Sequence, residues 1–236
     1  MPLGIARINS LSRVISAGGG GRTAISVTGS GDAQVDTAQG KFGGASALFD
    51  GSGDIISTDT NLSYFETTSD YTIEGWYYYT NVSVASDVFL IGTINVGTRV
   101  SVTTTTSGTI GVDNRGAAPD ITAAGSLSTG TWYHIALVQA SGVQTLYLNG
   151  TSIGSCTPVL ATGGDGYIQF GGYKLSGVVY RTHNGNIDEM RVSNIARYTA
   201  NFTPPATAFV NDDNTLLLIH ADGADGSTTF TDDNEE

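Results

Sequence analysis

At 236 residues, with 32 glycines, five prolines and 14% charged residues, the chain has the composition of a turn-rich folded protein and not of a disordered one. Its net charge of −12 argues against nucleic acid and an anionic membrane as partners, because both would repel such a surface at long range. The single cysteine, Cys156, excludes an intrachain disulfide and a Cys-based zinc site, so packing alone must hold the fold.

Residues 1–22 read as an arm with a glycine linker. Ile5, Ile8, Leu11 and Val14/Ile15 recur every three to four residues, which gives a short helix one apolar stripe. So short a helix is marginal alone. The stripe therefore packs against its own domain or docks on a partner through Ile5, Ile8, Leu11 and Ile15. Gly18–Gly21 separates the arm from the first strand pattern. The arm lacks a continuous apolar core of signal-peptide type, and no segment approaches a membrane-spanning length. Neither Sec export nor membrane insertion is expected.

Short strand patterns fill residues 23–210. Ala24–Val27 is the first, and Ala45–Phe49 and Ile55-Ile56 flank a glycine-aspartate turn. Tyr71–Tyr79 is dense in aromatics, and Val88–Gly92 and Arg99–Val102 continue the series. The segment from Gly130 to Gly150, GTWYHIALVQASGVQTLYLNG, reads as a hairpin that runs into a second one. Trp132–Gln139 is apolar on both faces and belongs inside a sheet. Leu146 and Leu148 share one face of the next strand. Asn149-Gly150 is the dipeptide most ready to take positive φ at both positions of a tight turn. Gly166–Gly172 and Gly185–Val192 are two further strands. Many short strands joined by turns, with no long helix outside the arm, favour an all-β sandwich of two antiparallel sheets.

Four strings now carry a resemblance: GGASALFDGSGDII (43–56), YTIEGWYYYT (71–80), the 130–150 segment, and GNIDEMRVSNIARYTANFTPP (185–205). Together they resemble the successive signatures of laminin G-like domains of the concanavalin A-like lectin/glucanase superfamily. The resemblance implies a jelly-roll sandwich over roughly residues 23–205. The variant with KFGGASALFDGSGD and TLLLIHADGADGSTTFTDD is similar to structural and adhesive proteins of marine bacteriophages. One departure concerns residues 211–236, which hold eight carboxylates and no Lys or Arg, two thirds of the net charge. In the resembling domains a strand like Leu216–His220 opens the domain, whereas here it comes last. It completes a sheet either in cis or in a neighbouring chain, because four aliphatics are costly to leave in water.

Catalytic patterns are weak. A retaining glycosidase needs two carboxylates about 5 Å apart across a cleft. Asp188 and Glu189 are the only paired acids in a strand, and alternation along a strand would send them to opposite faces. His134, His183 and His220 have no nucleophile motif beside them. The resemblance implies instead a structural Ca²⁺ at the sandwich rim, and the matching positions are Asp50, Asp54 and Asp188, although aspartate beside glycine also caps turns. Rings facing outwards among Trp76–Tyr79, Trp132, Tyr133 and Tyr147 could stack on a sugar. Polar groups suited to a lectin surface occur at Asp113–Arg115, Tyr173-Lys174 and Tyr180–Asn184.

The resemblance leads to the expectation of a non-enzymatic bacteriophage virion protein, a capsid decoration or a tail or head appendage. Its arm would attach it to other virion proteins while the lectin-like sandwich faces outwards to cell-surface glycans. It would be made in the host cytoplasm and assemble as a homo-oligomer, with a trimer preferred. The alternative is a free carbohydrate-binding or glycoside-hydrolysing protein of the same fold.

Overall fold

The computed structural model describes residues 24–59, 65, 69–92, 99–114, 120–122, 127–158 and 167–234. The arm, with Ile5, Ile8, Leu11 and Ile15, lies outside the described residues. In chain order the first strands are β1 (Val27–Ser30), β2 (Gln34–Asp36), β3 (Ser46–Asp50), β4 (Ile55–Thr58), β5 (Tyr71–Tyr79) and β6 (Asp87–Ile91). Next come β7 (Val100–Thr104), β8 (Ile110–Asn114), β9 (Ile121–Thr122), β10 (Trp132–Ala140), β11 (Val143–Leu148) and β12 (Thr151–Cys156). The last are β13 (Ile168–Phe170), β14 (Tyr173–Leu175), β15 (Val178–Tyr180), β16 (Asn184–Ser193) and β17 (Thr215–Ile219).

Two antiparallel sheets result. The smaller has seven strands in the order β1-β4-β13-β6-β7-β8-β9, and the larger has eight, β12-β11-β10-β5-β16-β3-β2 with β17 also on β16. Strands β14 and β15 make a separate ribbon. Alternation sets the core. The cross-strand row Ile56, Phe170, Phe89, Val102 and Val112 of the smaller sheet packs with Ile73, Tyr77, Tyr79, Ile135, Leu137, Leu146 and Ile187 of the larger. Leu146 is fully buried, and Leu148 is half-buried against the same core. Strand β10 lies between β5 and β11, which is why its second face is also apolar: Ala136 and Val138 pack with Tyr147 on the outer side. The turns at Ser141-Gly142 and Asn149-Gly150 have positive φ at both residues (49° and 78°, 49° and 76°), the twist that two-residue hairpin loops need.

The first strand starts later than its apolar run suggested. The Ile25 amide donates to the Asp232 carboxylate (2.8 Å) instead of entering the ladder, and β1 begins at Val27. Acids of the C-terminal segment serve mainly as backbone caps. Asp232 also accepts from Leu218 and Asn234, Asp225 from Thr37, and Asp233 from His220. Phe230 enters the core, where its ring crowds Gly29, a Cβ there coming within 3.2 Å of it. Strand β17 pairs with β16 of its own chain along Met190–Ser193, while β3 pairs with the same edge of β16 along Asn184–Ile187.

Residues 194–214 contain no strand and form a strap over the outer face of the larger sheet. Ala196, Tyr198 and Phe202 cover Ala136, Val138 and Tyr147, and Phe209 covers Trp76 and Leu218.

Candidate functional site

Under the strap lies a buried charge cluster that no sequence motif singles out. Glu74 sits across from Arg191 in the β5–β16 register, and its Oε1 accepts from Arg191 Nε (2.9 Å) and Nη2 (2.6 Å). Its Oε2 accepts from Tyr198 Oη (2.9 Å) and lies 3.1 Å from His134 Nε2. Burial opposes ionisation of Glu74, yet the His134 hydrogen bond and the Arg191 charge hold its carboxyl below the usual range. A Glu–His pair in an open cleft could do acid–base work. This one is fully buried and roofed by Tyr198 and Phe202, whose rings stack at 3.5 Å, so no substrate reaches it. The strap is then locked at its far end: Arg197 makes a bidentate pair with Asp212 (2.8 and 2.9 Å), which holds that carboxyl well below its ordinary value.

Asp188 and Glu189 do not point to opposite faces. Strand β16 bulges there, with Glu189 at φ 55°, and the residues on either side, Ile187 and Met190, both enter the core. Both acids consequently turn outwards. Asp188 Oδ2 accepts from the Lys41 and Phe42 amides (2.8 and 3.1 Å), and Glu189 accepts from the Phe209 amide (2.6 Å) and meets His220 Nδ1 (2.8 Å). Both are fully buried and serve the backbone, which leaves neither for an acid pair in a cleft. His183, also fully buried among Phe49, Tyr77 and Tyr79, is pushed down to about 4 by burial and stays neutral.

The three carboxylates matched to calcium are not one cluster. Asp50 and Asp54 come together with Asp32, ligand oxygens within 4.8 Å of one another. Asp188 lies four residues along β16 from the partner of Asp50, about 13 Å away at strand rise. Asp32 was legible in principle: the string Gly-Ser-Gly-Asp occurs at 29–32 and again at 51–54, and the pairing of β1 with β4 brings the two ends side by side. Asp54 caps the Asp50 and Asp32 amides (both 2.9 Å), and burial pushes its carboxyl up to about 6 with help from Asp32. Three converging carboxylates, two of them exposed, fit an oxygen-seeking cation such as Ca²⁺.

The outer face of the smaller sheet is the other candidate region, although Leu90, Ser101 and Gln169 on it are buried. Ser57, Gln169, Leu90, Ser101 and Asp113 form one cross-strand row, out of phase with the core row and therefore directed away from it. Arg99 pairs with Asp113 at one end (3.3 Å). At the other, the Lys174 amide donates to Gln169 Oε1 (2.7 Å) and sets the β14–β15 ribbon beside the sheet. Arg181 clamps the ribbon's exit: its Nε donates to buried Asp87 (2.6 Å), and its guanidinium also reaches the Thr103 hydroxyl. Between sheet and ribbon opens a cavity of about 200 Å³ lined by Ile55, Ser57, Thr58, Tyr167, Gln169 and Lys174. On the ribbon Tyr173 and Tyr180 are cross-strand neighbours with stacked rings (5.5 Å, 24°), and Tyr180 is 42% exposed. The structure thus gathers Tyr173, Lys174, Tyr180 and Arg181. Of the strand aromatics, Tyr77 and Tyr79 are core and Trp76 and Tyr147 are buried, while Tyr78, Tyr133 and Trp132 stay half-buried.

A family model described as concanavalin A-like lectin/glucanases superfamily matches residues 49–201. No curated protein sequence matches the chain. Among solved structures the fold is similar to domain 4 of AbnA, a GH43 extracellular arabinanase from Geobacillus stearothermophilus, in complex with arabinotriose. That likeness has 21% identity over 72% of this chain and 82% of that one, with a TM-score of 0.53. It is also similar to a Bacteroides ovatus protein whose name assigns it, provisionally, to carbohydrate binding: 18% identity, 86% of this chain, TM-score 0.51. A Trypanosoma rangeli sialidase variant with trans-sialidase activity gives 15% identity over 65% of this chain and a TM-score of 0.52. This chain spans about half of the Bacteroides protein (53%) and a quarter of the sialidase (26%).

Proposed function

The chain belongs to the concanavalin A-like lectin/glucanases superfamily, and from that premise we propose that it is a non-enzymatic carbohydrate-binding module whose glycan lies between the smaller sheet and the β14–β15 ribbon. One observation carries this reading: a cavity edged by hydroxyl, amide and ammonium groups opens at the β14–β15 ribbon, and the same ribbon carries a stacked tyrosine pair of which Tyr180 is exposed. Sugars are recognised by that combination, hydrogen bonds to hydroxyls and a flat ring against the apolar face of the pyranose. The arabinotriose complex of AbnA domain 4 supports it. The burial of Asp188 and Glu189 and the roof over Glu74 and His134 favour binding over hydrolysis. A glycan array with the intact chain tests it. Tyr180→Ala should weaken the best ligand about tenfold with the fold unchanged, and equal binding by that variant would overturn the site.

The finer reading places the module on a bacteriophage particle, as a capsid or tail component made in the host cytoplasm, with residues 1–17 as the attachment and a homotrimer as the assembly. The phage-like strings support it, as does a basic arm ahead of an acidic body: residues 1–22 carry three arginines and no acid. Purified particles lacking the protein would overturn this reading. We further assign Asp32, Asp50 and Asp54 as a structural Ca²⁺ site at the rim.

A further inference from the structure

Six Lys and Arg residues fall among the described residues, and five of them are engaged. Arg99 pairs with Asp113, Arg181 with Asp87, Arg191 with Glu74 and Arg197 with Asp212, while Lys41 Nζ stands 4.0 Å over the Trp76 ring. Lys174 alone among them has neither a carboxylate nor an aromatic partner among the described residues. Its backbone is fixed by the bond from its amide to Gln169, and its exposed side chain lines the cavity beside the smaller sheet. Every other described lining group is neutral: the Ser57 and Thr58 hydroxyls, the Gln169 amide, the Tyr167 phenol and the Ile55 side chain. In a chain of net charge −12, the one unengaged cation of the described residues lines a cavity whose described lining residues include no acid.

We propose that this cavity takes an anionic sugar residue, a hexuronate or a sialate, whose carboxylate accepts a hydrogen bond from Lys174 Nζ. The inference rests on the carbohydrate-binding reading above and narrows its ligand class. The cavity, about 200 Å³, is smaller than the roughly 300–1,000 Å³ that enclose drug-sized ligands, so it holds one sugar unit and leaves the rest of the glycan outside it. Charge-assisted hydrogen bonds are shorter and stronger than neutral ones, and an ammonium on a half-open wall supplies one without a buried-charge cost. The acidic body repels an anion only at long range. At physiological salt that repulsion is screened beyond about 8 Å, inside which Lys174 dominates.

Calorimetric titration of the full chain with two matched pairs, digalacturonate against galactobiose and sialyllactose against lactose, tests the proposal. The acidic member of at least one pair should bind about tenfold more tightly than its neutral partner, and the difference should shrink as salt is raised. Which pair discriminates identifies the acid. Lys174→Gln should abolish the preference by weakening the acidic member far more than the neutral one, and Lys174→Arg should retain it. Equal binding of acidic and neutral members, or a preference that survives in Lys174→Gln, would overturn the anionic assignment and leave the binding face standing. Absence of binding to any of the four would overturn the binding face itself, and the assignment with it.

Discussion

Asp188 and Glu189 leave β16 on the same side, and between them they tie three segments to one bulge. Asp188 holds the amides of Lys41 and Phe42, and Glu189 holds the amide of Phe209 and the ring of His220. On the shared edge of β16, β3 ends and β17 begins at this bulge. The two acids therefore splice the early strands, the strap and the C-terminal strand.

The splice has a pH signature. Burial pushes the Asp188 carboxyl up from 3.8 to about 7, aided by the Glu189 charge, and its Oδ1 is buried without a partner. A raised carboxyl keeps its proton in the folded state where the unfolded chain has released it. Its stabilisation is complete below 3.8 and is lost as pH rises through about 7. Urea midpoints between these limits should fall with pH, with one proton's slope of at most about 1.4 kcal/mol per pH unit from this group. Asp188→Asn keeps an oxygen for the two amides and should flatten that component. An unchanged profile in the variant would assign the slope to other acids such as Asp54.

Breaking the cluster under the strap should cost more than any surface change. Glu74→Ala would strand the Arg191 guanidinium and His134 in a dry interior, at about 3–5 kcal/mol. The double variant Glu74→Met, Arg191→Met removes both charges and should recover part of that loss. Chemical denaturation of the three proteins checks the order. A double variant less stable than Glu74→Ala would mean that the ion pair contributes more than its desolvation costs.

The sheets were legible because turn chemistry and alternation agree. Tyr71–Tyr79 is a strand with the expected bounds, and Asn149-Gly150 turns as its φ preference dictates. Two rules misled. Alternation says nothing about a bulge, which depends on the neighbouring strands and put Asp188 and Glu189 on the same face. Glu74, amid aromatics, carried no mark of burial, since its partners Arg191 and Tyr198 lie more than a hundred residues away. The ribbon beside the smaller sheet was visible only as scattered polar and aromatic residues, because the pairing that aligns Tyr173 with Tyr180 leaves no periodic trace in three-residue strands.

Gly150 and Gly177 separate backbone strain from collision. Both sit at positive φ (76° and 87°), but a Cβ at Gly150 would run into the Phe202 carbonyl oxygen, whereas at Gly177 it meets open space. The Gly150 carbonyl also accepts from the Phe202 amide (2.9 Å), fastening the hairpin to the strap. Gly177→Ala should cost about 1 kcal/mol from φ alone, and Gly150→Ala distinctly more, since it also displaces the strap. Thermal melts distinguish them, and equal losses would show that the strap yields without penalty.

The rim carboxylates make the calcium assignment measurable without any glycan. Asp32, Asp50 and Asp54 repel one another when ionised, and Asp54 is held up at about 6 in consequence of its burial and of Asp32. A divalent cation would relieve that repulsion. Added Ca²⁺ should raise the melting midpoint by several degrees at neutral pH through mass action on the folded state, and EDTA should reverse the rise. Asp32→Asn with Asp50→Asn removes two ligand charges while leaving the amide caps of Asp54 in place. This variant should melt at or above the metal-free midpoint of the parent and no longer respond to Ca²⁺. If parent and variant respond alike, the cation sits elsewhere and these three aspartates serve only the turns.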